Sequence, residues 1–172
     1  VILNDWNQHR LSKLIVKKLF GNVSGKKICI LGFAFKANTN DTRESAAINI
    51  CKDLLNEGAF LSINDPKVSR KQIESDLKSK SLNNLNYAEI SDFFNYEGQW
   101  AFEEDINNAS EKSDAIVVLT EWEEYLKINW KEISTKMRKP AWIFDARSIL
   151  DPKQIKDNDL LLWRIGDGNN NN

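Results

Sequence analysis

Hydrophobic and polar positions along this chain switch repeatedly between a helical period and short apolar runs. Residues 2 to about 20 carry Ile2, Trp6, Leu11, Leu14, Ile15, Leu19 and Phe20 at helical spacing, and the stretch NVSGK (22–26) ends that helix. Residues 27–32 (KICILG) form a continuous apolar run with polar flanks, the pattern of a strand buried on both faces. The loop FAFKANTNDT leads into a helix predicted over 43–57, with Ala46, Ala47, Ile50, Leu54 and Leu55 on one side. Asp41 or Thr42 is expected to cap its start and Gly58 to end it. FLSIN (60–64) reads as a second strand, stopped by the turn pair Asp65-Pro66. A charged amphipathic helix follows over 69–78, a loop-rich stretch over 79–100 and a short helix over 103–112. DAIVVLT (114–120) is another buried strand, 121–137 is helical with a break near Asn129, and AWIFD (141–145) and 160–165 are the last strands.

Strands alternating with helices imply right-handed crossovers and a sheet covered on both faces. The expectation is a doubly wound α/β fold with a mostly parallel, Rossmann-like sheet, preceded by the end of a long helix. Its parts are that helix (1–20), the α/β domain (21–166) and a tail (167–172) of GDGNNNN type, expected to be disordered.

Composition removes several function classes. A net charge of −1 argues against nucleic acid, which requires a surplus of clustered Lys and Arg. The densest basic run, KMRK at 136–139, reads as a solvated helix end. No stretch approaches the ~20 apolar residues of a membrane span. The start VILNDWNQHR lacks the pattern of a signal peptide, so with two cysteines a reduced, cytoplasmic setting is expected. Cys29 and Cys51 lie in apolar patterns and read as buried. His9 is the lone histidine, among polar residues where a surface role is expected, and a His/Cys metal cluster is excluded by counting.

In such sheets ligands bind beyond the C-terminal strand ends, where the strand order reverses. The loop after Gly32 has one glycine where a dinucleotide fingerprint needs three. It offers Lys36 and Arg43 beside a helix start, which suits an anion; the alternative is that both are solvated and pair with Asp41 and Glu44. Arg147, after AWIFD, could converge on the same crevice, although an arginine in that position is more often a surface ion-pair partner. Asp65 reads as a turn residue before Pro66. Glu121 and Trp122 are explained by helix capping and core packing, and the six tryptophans read as structural. These patterns reach an α/β domain with a candidate anion site and do not reach a reaction.

Five segments in order carry a resemblance. GFAFKANTNDTRES is similar to the G-F-[AS]-[FY]-K-x-x-T-x-D-x-R-x-S segment of the UDP-glucose dehydrogenase family. NDWNQHR resembles the end of that family's central helix, INDPKV its Y-D-P segment, DAIVVLTEWEEY its D-A-x-V-x-x-T-E-W-x-x-F, and KPAWIFDARSILD its K-P-x-x-F-D-[GA]-R-x-[IV]-L-D. The resemblance implies part of an NAD-dependent enzyme that oxidises UDP-glucose to UDP-glucuronate in two steps. In that family an N-terminal domain holds the dinucleotide fingerprint and a nucleophilic cysteine; neither Cys29 nor Cys51 matches the latter, so no catalytic residue is expected in this chain. It further implies that Phe35, Lys36 and Arg147 meet the UDP-sugar and that Arg43 reaches the NAD pyrophosphate. Ser148 stands where some members have a second arginine. The resemblance also implies a homo-oligomer built through the central helix. Alternatives are a GDP-mannose or UDP-N-acetylhexosamine dehydrogenase domain, or a non-catalytic nucleotide-binding module.

Overall fold

Six apolar runs become strands: β1 (Lys27–Leu31), β2 (Phe60–Asn64), β3 (Gln99–Phe102), β4 (Ala115–Val118), β5 (Trp142–Asp145) and β6 (Leu161–Arg164). The computed structural model describes residues 3–84 and 98–167, and in it these strands form one sheet in the order β3-β2-β1-β4-β5-β6. Every neighbouring pair is parallel, so the expected mostly parallel sheet is parallel throughout. The central strands explain the continuous apolar runs. Ile28, Cys29, Ile30 and Leu31 of β1 and all four residues of β4 are fully buried, because helices cover both faces of the sheet.

The α-helices among the described residues are α1 (Asp5–Lys18), α2 (Ala46–Asn56), α3 (Arg70–Leu77), α4 (Ile106–Ser110), α5 (Trp130–Lys136) and α6 (Pro152–Lys156). Each begins on a short polar side chain that accepts from a first-turn backbone N–H: Asn4, Ser45, Ser69, Asp105, Asn129 and Asp151. The first helix lies on α2, where Leu11 and Ile15 are buried, Asn49 donates to Gln8 and His9 pairs with Asp53 at 2.6 Å.

Several boundaries differ from expectation for local reasons. The second helix starts at Ala46 and not 43, and Ser45 caps it in place of Asp41 or Thr42. Glu44 just before it has φ of 62°, outside helical space. The stretch 121–137 divides into a 3₁₀ segment, Glu123–Lys127, and α5, with Asn129 at the break as expected. Neither Glu121 nor Trp122 caps a helix: the 3₁₀ segment has no side-chain cap, and both side chains are used elsewhere. Two elements were not anticipated. The edge strand β3 begins at the very end of the stretch expected to be loop-rich and runs two residues past it, held by the fully buried Trp100, a side chain whose burial contributes about 3 kcal/mol. The short α6 forms on the Asp151-Pro152 pair, a cap followed by proline at the first helical position. Residues 85–97 and the tail expected to be disordered, 168–172, lie outside the described residues.

Gly32 ends β1 with φ of 101°, and a Cβ there would lie 2.3 Å from Thr120 Oγ1 and 2.7 Å from the Thr120 backbone nitrogen. Both the backbone conformation and the space require glycine. Gly32→Ala is expected to destabilise the fold by about 3 kcal/mol or more, read as a lower midpoint in urea unfolding.

Candidate functional site

Strand order reverses between β1 and β4, so the crevice of interest opens where the loops after these two strands part. The β1 loop, residues 33–45, is fastened most densely where it leaves the sheet. Phe33 N–H and Ala34 N–H both donate to Asp65 Oδ2, at 2.8 and 3.0 Å. The Phe33 carbonyl accepts from Ser45 Oγ at 2.7 Å and the Ala34 carbonyl from Thr120 Oγ1 at 2.9 Å. Phe35 N–H donates to the Asp41 carbonyl, and Ala37 N–H to Glu121 Oε1 at 3.0 Å. Backbone groups at the end of a sheet need such partners once water is excluded, and four side chains, Ser45 from the loop's own end and Asp65, Thr120 and Glu121 from the loops after β2 and β4, supply most of them.

Asp65 is the hub of this network. Sequence reasoning took it for a turn residue, and its Oδ1 does accept from Lys67 and Val68 N–H at 2.8 and 2.9 Å. Its Oδ2 also accepts from the indole N–H of Trp122 at 3.2 Å, besides Phe33 and Ala34. The carboxylate is 4 % exposed, and Trp122 is equally buried. At β5 a second buried carboxylate, Asp145, accepts from Arg147 N–H and Leu150 N–H and so fixes the backbone under Arg147. Deeper in, Tyr125 Oη meets the Asn64 side chain at 3.0 Å, and burial together with the nearby Asp65 charge raises its pKa.

Phe35, Lys36 and Arg147 line one cavity of about 260 Å³, with Leu3, Glu44, Ala46, Leu119 and Glu121. The half-buried guanidinium of Arg147 pairs with Glu121 across it. Lys36 is exposed and makes no hydrogen bond or ion pair among the described residues. Two cations therefore face two carboxylates. A phosphate arriving here would meet the free Lys36 ammonium and share with Glu121 an arginine that has donors to spare. The signal that Glu121 belongs to the cavity was absent from the sequence, because a glutamate at a helix start explains itself.

Arg43 stands apart from the cavity. Its exposed side chain folds back on Asp41, Nε at 3.0 Å and Nη2 at 2.8 Å, the pairing foreseen as the alternative to an anion site. Those hydrogen bonds, then that of the Arg43 backbone N–H, hold the Asp41 carboxyl down at about 2. Ser148, with φ of 55°, turns away and donates to the Ile165 carbonyl at 2.6 Å. Both cysteines are free and fully buried, and burial pushes the Cys29 thiol up to about 12. Such thiols are not nucleophiles at neutral pH.

Residues 29–152 match the UDP-glucose/GDP-mannose dehydrogenase family, UDP binding domain. The chain belongs to that family. UDP-glucose 6-dehydrogenase of Caenorhabditis elegans is 41 % identical over 164 residues, covering 95 % of this chain and 32 % of that protein. The Drosophila melanogaster UDP-glucose 6-dehydrogenase is 42 % identical over 164 residues, with 95 % and 33 % covered. This family member thus spans about a third of the length of these relatives. NDP-N-acetyl-D-galactosaminuronic acid dehydrogenase from Methanosarcina mazei Go1 superposes with a TM-score of 0.64 at 21 % identity, over 92 % of this chain and 28 % of that one, and shares the fold.

The crevice of this UDP-binding domain does not fit a dinucleotide of its own. The lone glycine of the β1 loop, Gly32, is taken up by its packing against Thr120, and Asp65, at the β2 end where a ribose-binding acid would stand, has spent its oxygens on protein N–H groups.

The Asp41–Arg43 pair has a pH signature. The folded carboxyl lies below its ordinary 3.8, so whatever stability the pair adds is present above a pH of about 4 and is lost as pH falls toward 2. Arg43→Ala is expected to return the Asp41 carboxyl toward 3.8, followed by NMR titration of the side-chain carbon.

Proposed function

We propose that this chain is the UDP-sugar-binding domain of an NAD-dependent UDP-glucose 6-dehydrogenase, working with an N-terminal domain of the same enzyme. The observation that carries the reading is the convergence of Phe35, Lys36 and Arg147 on one cavity at the sheet's switch point. A nucleoside diphosphate is a dianion, and cations from two strand ends, Lys36 after β1 and Arg147 after β5, oppose its charge while Phe35 offers an apolar face. Similarity over 95 % of the chain to UDP-glucose 6-dehydrogenases favours UDP-glucose over GDP-mannose or a UDP-N-acetylhexosamine.

On this reading the oxidation to UDP-glucuronate, with two NAD consumed, happens on protein outside this domain. The inert thiols of Cys29 and Cys51 and the single-glycine loop support that division. NAD is the cofactor and is held outside this crevice. Arg43, exposed on the outer side of the loop, exchanges Asp41 for the NAD pyrophosphate when the domains meet. The segment 1–20 is the end of the central helix through which the enzyme forms a homo-oligomer. Two buried free thiols suit the reducing cytoplasm, and no described helix is long and apolar enough to cross a membrane.

The isolated chain is expected to bind UDP and UDP-glucose weakly, since it supplies part of the site. Lys36→Ala and Arg147→Ala should each weaken binding by about tenfold or more, as for other charge-assisted contacts. Titration calorimetry decides: equal affinities in all three proteins would remove both residues from the site. With NAD and UDP-glucose the pure chain should produce no NADH absorbance, and turnover would refute the assignment of the chemistry to another domain.

A further inference from the structure

We infer that Asp65 is a positioning residue for the UDP-sugar site, setting both walls of the cavity through one carboxylate. The inference rests on the reading of that site given above. A carboxylate that only closed the turn at Pro66 would need Oδ1, which already satisfies Lys67 and Val68 N–H. Oδ2 faces the other way and takes three donors from outside the turn, Phe33 N–H, Ala34 N–H and Trp122 Nε1–H.

Those donors sit beside the residues that matter. Ala34 is followed directly by Phe35 and Lys36. Trp122 follows Glu121, which pairs with Arg147 and accepts from Ala37 N–H. The wall after β1 and the wall after β4 are therefore referenced to the same buried oxygen, which itself stands at the end of β2 and outside the cavity lining. Without it three buried donors lose their acceptor, and the cheapest relief is for residues 33–36 to move until water reaches them. Lys36 then leaves its position opposite Arg147 while the sheet below, held by its own ladder and core, stays formed.

The test compares UDP affinity on folded protein for wild type, Lys36→Ala, Asp65→Asn, Trp122→Phe and, as a stability control, Leu54→Ala near the C-terminal end of α2, outside the cavity lining. The asparagine keeps the size but must turn an amide N–H toward one of the two donor groups. Asp65→Asn is expected to weaken UDP binding about tenfold or more, with loss of hydrogen-exchange protection at the Phe33 and Ala34 amides. The control should lower the melting temperature and leave affinity as in wild type. Wild-type affinity in a folded Asp65→Asn overturns the inference. Should that variant fail to fold, Trp122→Phe decides: it removes only the indole donor, and affinity and Phe33 and Ala34 amide shifts unchanged from wild type overturn the inference equally. If instead Lys36→Ala binds UDP as wild type does, the site itself has been misassigned and the positioning role falls with it.

Discussion

A single buried carboxylate ties together the loops at the functional end of this sheet. Asp65 accepts from four backbone N–H groups and one indole N–H while almost wholly removed from water. A desolvated charge is costly unless its lone pairs are filled, and here five donors from three segments fill them. The dependence is mutual, since four of those donors, all but the Lys67 N–H, are buried as well and each of the four would cost about 1–3 kcal/mol if left without an acceptor. Such an arrangement has one low-energy geometry. That is what a site assembled from loops requires, because loops have no ladder of their own to hold them.

The same device recurs at β5, where Asp145 holds Arg147 and Leu150, so both cation-bearing loops of the cavity rest on aspartates at strand ends. The charges above them are arranged differently. Arg147 is committed in advance to Glu121, whereas Lys36 makes no hydrogen bond or ion pair among the described residues and Arg43 is tied to Asp41 at the surface. Without a ligand two of these three cations are thus already paired, and an anion would have to compete for the arginine. At the dinucleotide position, by contrast, Gly32 is packed against Thr120 and Asp65 is turned inward onto protein donors.

Much of the fold was legible because its strands are buried on both faces. KICIL and AIVV are apolar without alternation, and that pattern in a chain with helical stretches between leaves few alternatives to a parallel sheet. The edge strand β3 was not legible. It is four residues long, only Trp100 in it is buried, and an edge strand in a polar stretch carries no periodic signal. The helix start at Ala46 was missed because Glu44 adopts a left-handed conformation that nothing in its side chain demands. The Asp151-Pro152 pair that opens α6 does carry a local signal, a cap residue followed by proline. At the site, the convergence of the β1 and β5 loops followed from strand order, while Glu121 and Asp65 looked like ordinary cap and turn residues.

The residue pattern by itself determined what depends on composition and near neighbours: which runs are apolar on every side, where short polar side chains can start helices, and that one histidine and two cysteines are too few for a His/Cys metal cluster. Tertiary structure alone decided which distant groups meet. Phe33 and Asp65 are 32 residues apart, Trp122 and Asp65 are 57 apart, and Ala37 and Glu121 are 84 apart. These meetings are consequences of strand order and register, set by the packing of all six strands and their helices together, and no local preference of an aspartate or a glutamate encodes them.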